Sequence, residues 1–258
     1  MSPPFPEWRE RPLPDLGGVR ALRNGPRHGP IDNAGAAFSE RLVALADFGV
    51  AGRNHYAHAQ NPPYYAAAPG AVDALFLRES AARKLAEVDR KLRRDGLKLF
   101  VYDGWRPRAV QAYFHDVWTP EQLAKRHPHL AGDALIAEVE RYWAAPSLSE
   151  DKPAPHATGG AVDLTLTWED GAPLFMGSVF DDATPLAHTD RFEKEPAGEG
   201  SFSADEARAN RRILYWAMNE AGFANHPDEW WHFSYGDWMW ASFNGRAASL
   251  YGLAAPPA

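Results

Sequence analysis

From Ala161 to Trp168 the chain alternates without a break. Val162, Leu164, Leu166 and Trp168 fall on one side, and Asp163, Thr165 and Thr167 on the other. A period of two belongs to a β-strand with one apolar face, and it fixes which side chains meet a core. Just upstream stands His156, separated from Asp163 by a stretch that contains Gly159 and Gly160. An imidazole from the preceding loop and a carboxylate at the start of a half-buried strand make half of a metal site. The other half is found in residues 228–233, Asp-Glu-Trp-Trp-His-Phe, which supply Glu229 and His232. Two histidines and an aspartate as ligands, with a glutamate that is not a ligand, have the composition of a catalytic zinc centre with one open position. Positions 229 and 232 point to opposite faces of a regular strand, so the chain must turn into the strand between them.

Composition narrows the function classes. The chain has 258 residues, enough for one large domain, and its 45% hydrophobic and 24% charged content is ordinary for a soluble globular protein. A net charge of −7 argues against nucleic acid and anionic membrane surfaces as partners. With no cysteine, disulfides are excluded and any zinc site must use nitrogen and oxygen ligands. No apolar run reaches the roughly 18–20 residues of a membrane span. The first residues lack a basic region followed by an apolar stretch, so no signal peptide and a cytoplasmic location are expected. A homo-oligomer is compatible with all of this.

Periodicity and punctuation outline the fold. Residues 1–35, rich in Pro, Gly and Arg, read as an extended arm. Residues 51–73 form a long irregular loop of the kind that often carries function; its His55 and His58 have no carboxylate close in sequence and are expected at the surface. Ala81, Leu85, Val88 and Leu92 mark a helix over about 74–95, stopped by Gly96. A strand follows at 97–103, and then a helix from about Pro107 to Trp118. Thr119-Pro120-Glu121-Gln122 and Ser203-Ala204-Asp205-Glu206 have the form of capping boxes, the second opening a helix to about Ala221. A helix is also expected at 133–144, a loop at 183–202 and a returning strand at 223–235. The expectation is one α+β domain over 36–245, an antiparallel sheet with helices packed to one side and a zinc site in a cleft, followed by a tail at 246–258.

The chemistry follows from the residue types. His156, Asp163 and His232 would hold zinc, which activates a water, while Glu229 would serve as general base. Arg106, fixed between a strand end and a helix begun by Pro107, would either stabilise an oxyanion or form a salt bridge to Asp103.

Four stretches in order carry a resemblance: Tyr102-Asp103-Gly104-Trp105-Arg106-Pro107, His156-Ala-Thr-Gly-Gly-Ala-Val-Asp163, Met176-Gly177-Ser178-Val179-Phe180-Asp181 and Glu229-Trp-Trp-His232. Over about residues 70–240 the chain resembles the D-Ala-D-Ala dipeptidases of the VanX type, among the zinc D-alanyl peptidases. The resemblance implies one Zn2+ per chain on His156, Asp163 and His232, with Glu229 as catalytic base and Arg106 stabilising the tetrahedral intermediate. It also implies that Asp181 contacts the free ammonium of a small dipeptide substrate. The chain departs from that pattern at Ala154, where a serine is usual, at Trp105, where tyrosine is common, and at Pro185-Leu186-Ala187-His188, where Ser-His is missing. The expected activity is hydrolysis of D-alanyl-D-alanine or a near relative. The alternatives are a D,D-carboxypeptidase acting on peptidoglycan stems and a non-catalytic module that binds cell-wall peptides.

Overall fold

Residues 4–23, 29–147, 149–194 and 201–254 are described in the computed structural model. The first segment holds two short helices, α1 (Pro6–Glu10) and α2 (Gly17–Arg23). Then come β1 (Leu42–Ala44), β2 (Ala51–Gly52), β3 (Phe76–Arg78), α3 (Glu79–Leu92) and β4 (Leu97–Asp103). Helices α4 (Arg108–Tyr113), α5 (Thr119–Arg126), α6 (Gly132–Val139) and α7 (Pro155–Thr158) lead to β5 (Ala161–Trp168). The chain closes with α8 (Phe202–Glu220), β6 (Ala224–Asn225), β7 (His232–Ser234) and α9 (Trp238–Phe243).

The main sheet has the order β2-β4-β5-β7-β6, and β1 pairs with β3 in a separate antiparallel ribbon. The sheet is antiparallel as expected except at one edge, where β2 runs parallel to β4 and makes it mixed. Leu99 lies opposite Leu166 and Val101 opposite Leu164, so the apolar faces of β4 and β5 coincide. That face is fully buried beneath α3 and α8, against Leu85, Leu92, Ile213 and Leu214. Removing from water the apolar surface of such leucines supplies about 1.5–3 kcal/mol per side chain, which orients the sheet. A register shift between Val101 and Asp103 sets Asp103 opposite Asp163, on the polar face. Strict alternation would have buried Asp103 among leucines; a bulge re-aims it.

The polar face is not bare. Tyr102 stacks on Phe180 at 4.6 Å, and Tyr56, Tyr64, Phe114 and Trp143 form an aromatic layer beside it. The stretch expected as a loop over 51–73 supplies Tyr56 and Tyr64 to that layer.

Several local expectations are corrected. Residues 4–23 are not an extended arm: α1 packs along α8, and Trp8, Leu13 and Leu16 are buried. The tail is packed too, with Tyr251 fully buried and Ser249 bridging to Ile31. Thr119 caps nothing, because a π-helical turn at Phe114–Trp118 carries the backbone from α4 into α5. The cap of α8 is Ser201, whose side chain accepts from the Ala204 N–H, so that helix begins before Ser203. The returning strand at 223–235 is split into β6 and β7 by a turn. Of the loop expected over 183–202, residues 195–200 lie outside the described residues, as do residues 1–3 and 24–28 of the arm and 255–258 of the tail. Among the described residues no helix is long and apolar enough to cross a membrane.

Candidate metal centre and its cleft

The two glycines between His156 and Asp163 are required by the backbone. Gly159 has φ +73 and ends α7, and a Cβ on Gly160 would stand 2.3 Å from the Tyr235 carbonyl oxygen. The tight passage brings His156 back over the start of β5. β7 pairs with β5 so that His232 faces Asp163 directly.

The three side chains converge, all buried. His232 Nδ1 lies 3.0 Å from Asp163 Oδ1 and 3.2 Å from His156 Nε2, and His156 Nε2 lies 3.4 Å from Asp163 Oδ2. Ligands about 2.0–2.1 Å from one tetrahedral ion stand roughly 3.3 Å apart, so the spacing fits a zinc ion. The outward ring nitrogens are already engaged. His156 Nδ1 donates to the Gly104 carbonyl at 2.8 Å, which leaves Nε2 as the lone-pair donor, and His232 Nε2 sits 3.3 Å from Ser234 Oγ. Partners of this kind fix tautomer and ring direction in metal sites.

The electrostatics agree. Burial opposes the charge on Asp163, yet His156 and His232 hold its carboxyl well below the usual range. Burial also opposes a charged His232, but its hydrogen bond to Asp163 outweighs this and raises its pKa. Paired imidazole lone pairs against a carboxylate form a site that a cation satisfies in place of a proton.

Glu229 sits in the turn before β7, its amide donating to the His226 carbonyl and its own carbonyl accepting from the His232 amide at 3.2 Å. This turn removes the strand-parity conflict. Glu229 Oε2 lies 3.9 Å from His232 Nδ1, on the side where the three donors meet. Its side chain is 39% exposed, so it borders the open cleft.

Of the two readings of Arg106, the salt bridge to Asp103 is present. Nε donates to Asp103 Oδ2 at 2.7 Å and Nη1 to Gln111 Oε1 at 3.0 Å, while Nη2 points to Asp163 Oδ2 at 3.4 Å. The guanidinium lies over the rings of Tyr56 and Trp143. A salt bridge therefore aims the rest of the cation into the cleft. The bulged Asp103 that aims Arg106 also stands 3.2 Å from His156 Nδ1.

Asp181 adopts φ 58, a left-handed conformation uncommon outside glycine. Its Oδ2 accepts from the Tyr56 and Tyr64 hydroxyls at 2.7 and 2.8 Å. Burial, and then the charge of Asp163, push its pKa up to about 7. Tyr56 and Tyr64 were not singled out as site residues from the sequence; the length of the 51–73 loop was the available signal. His55 is buried rather than at the surface, its Nε2 3.0 Å from the Pro62 carbonyl, while His58 meets Asp73 at 2.7 Å.

The cleft over the three converging side chains encloses about 200 Å³ and is lined by Tyr56, Arg106, Trp143, Asp181, Glu229 and Trp231. That is less than the roughly 300–1,000 Å³ of a drug-sized site. A larger chamber of about 820 Å³ shares Asp181, Glu229 and Trp231 with it.

The family model described as D-Ala-D-Ala dipeptidase matches residues 40–246. Three proteins named D-alanyl-D-alanine dipeptidase are similar. The one from Synechocystis sp. is 35% identical over 160 residues, 58% of this chain and 64% of that protein. The one from Escherichia coli is 29% identical over 158 residues, 61% and 65% of the two chains, and that from Enterococcus faecium 31% over 140 residues, 54% and 62%. The chain thus spans just under two thirds of the length of these relatives. Among solved structures, the vancomycin resistance D,D-pentapeptidase VanY in complex with Zn(II) is 17% identical over 74% of this chain and 93% of that one, with a TM-score of 0.38. A likeness that slight carries no weight for function.

Proposed function

The chain belongs to the D-Ala-D-Ala dipeptidase family, and from that premise we propose that it is a zinc-dependent dipeptidase that hydrolyses D-alanyl-D-alanine or a closely related small dipeptide. The observation that carries this reading is the convergence of His156, Asp163 and His232 within hydrogen-bonding distance of one another, with Glu229 3.9 Å from His232 Nδ1. Zinc held by these three side chains supplies Lewis-acid chemistry, acidifying water and polarising a carbonyl.

The chain's own residues do the rest. Glu229 takes the proton of the attacking water and passes it to the leaving amine. Arg106, braced on Asp103, places an N–H beside the carbonyl oxygen as negative charge develops there, and its fixed direction minimises reorganisation. Asp181, held by two tyrosine hydroxyls, receives the substrate ammonium at the end of the small cleft.

The larger chamber beyond Asp181 favours one second reading, a carboxypeptidase that accepts longer stem peptides through that opening. A panel of L,L, L,D, D,L and D,D dipeptides, together with N-acetyl-D-Ala-D-Ala, separates the two. A charge-assisted bond to the ammonium is worth about 1.5–3 kcal/mol, so free D-Ala-D-Ala is expected to have a kcat/KM roughly 10–100-fold above its acetylated form. Asp181→Ala narrows that ratio. Equal rates on the two forms would support the carboxypeptidase, and no D-alanine from either would reject the peptidase reading.

A further inference from the structure

Residues 1–39 precede the family match, yet one side chain from this segment reaches the turn that bears Glu229. The guanidinium of Arg20, on α2, donates from Nε to Asp228 Oδ1 at 2.7 Å. It donates from Nη1 and Nη2 to the two carboxylate oxygens of Asp190 at 3.0 and 2.5 Å, and from Nη2 to the Pro227 carbonyl at 3.0 Å. The three side chains are only 12–24% exposed, so these are well-shielded contacts. The planar five-donor fork suits an arginine and would be poorly served by a lysine.

Between Trp8 and Arg20 the segment is docked as well. Trp8 Nε1 donates to Glu220, the Trp216 indole N–H donates to the Arg11 carbonyl, and Arg212 donates to the Arg9 carbonyl, each at 3.0 Å. Arg11 stacks on the Trp216 ring at 3.4 Å. Beyond Arg20 the ties continue towards the site. The Thr189 amide also donates to the Pro227 carbonyl, the Trp230 amide donates to the Ala187 carbonyl, and Asn225 Nδ2 donates to the carbonyls of Glu229 and His232. Arg20 thus spans the two stretches, 187–190 and 227–230, that hold Glu229 over the three converging side chains.

We propose that Arg20 is a positioning residue for Glu229, through which the N-terminal segment completes the catalytic site. The inference rests on the dipeptidase reading for its kinetic part and on geometry alone for its structural part. An arm whose only task is to anchor the fold would affect melting temperature and nothing else.

The test uses the whole zinc-loaded chain carrying Arg20→Ala and, as a milder variant that keeps the charge, Arg20→Lys. Three readouts are compared: kinetics on D-Ala-D-Ala well below the melting temperature, zinc content, and amide hydrogen exchange. A displacement of Glu229 by an ångström is expected to lower kcat by about 10–100-fold with KM within about two-fold, because the base acts only in the chemical step. Zinc content is expected to stay unchanged, and exchange to speed up at residues 226–230 but not along α8. Arg20→Lys is expected to fall between Arg20→Ala and the unaltered chain. Unchanged kcat and unchanged exchange at 226–230 in both variants would overturn the proposal, whatever the melting temperature. Should the unaltered chain cleave no dipeptide, the dipeptidase reading fails, and the exchange data still decide whether Arg20 orders the Glu229 turn.

Discussion

Four side chains at the centre each meet a second group that directs them. His156 is oriented by the Gly104 carbonyl, His232 approaches Ser234, Arg106 is braced by Asp103, and Asp181 accepts two tyrosine hydroxyls. The roles proposed for Glu229 and His232 separate by mutation. Glu229→Ala is expected to keep zinc and lose turnover by roughly 10²–10⁴-fold, the usual contribution of a positioned base. His232→Ala is expected to lose both, as metal analysis alongside kinetics would show; metal loss in the first variant and retention in the second would invert the assignment. Asp181 gives a pH dependence of definite sign. Its pKa is raised to about 7 by burial and by Asp163, so the carboxylate is ionised above that value and neutral below it. The ammonium capture proposed for Asp181 is therefore expected at higher pH and expected to be lost as pH falls through about 7. Zinc, when bound, would draw that midpoint lower. The acid limb of kcat/KM for free D-Ala-D-Ala should be absent with N-acetyl-D-Ala-D-Ala and absent in Asp181→Asn; a limb shared by both substrates would assign it to another group.

At the scale of elements, the site is the product of one close backbone passage and one strand pairing. A side chain at Gly160 would collide with the Tyr235 carbonyl, and Tyr235 follows β7 directly. Gly160→Val is expected to cost about 1–3 kcal/mol as an overpacked position. It should also lower zinc uptake, by forcing apart the strands that carry Asp163 and His232. Thermal unfolding and metal content check both effects, and normal zinc binding in the variant would refute the coupling. β5, β4 and α3 were legible in the sequence because seven or more residues display their period. The parallel edge β2 is two residues long and shows no period at all. Thr119-Pro120-Glu121-Gln122 has the letters of a cap, but capping needs a chain that enters from outside the helix, and here a π-helical turn arrives instead. The converging histidines and aspartate were legible because few residue types can bind zinc without cysteine. Tyr56 and Tyr64 were not, since their bonds to Asp181 span 125 and 117 positions and depend on the left-handed backbone at Asp181.

At the scale of the whole molecule, one apolar face of a mixed sheet is buried under α3 and α8, and the opposite face carries the converging side chains proposed as the site. The bulge at Asp103, the 51–73 loop and the turn before β7 all contribute to that polar side, while α1 packs along α8 and α2 reaches the turn before β7 through Arg20. A net charge of −7 leaves a small zwitterionic peptide a more natural partner than a polyanion. His156, Asp163 and His232 are proposed as the zinc centre of a dipeptidase. The decisive measurement follows D-alanine release from D-Ala-D-Ala through chelation and zinc readdition, with metal content measured at each stage. About one zinc per chain is expected, with loss of turnover when it is stripped and recovery in proportion to zinc returned. Zinc-supplemented protein that holds no zinc, or D-alanine release that survives complete removal of the metal, would contradict this proposal.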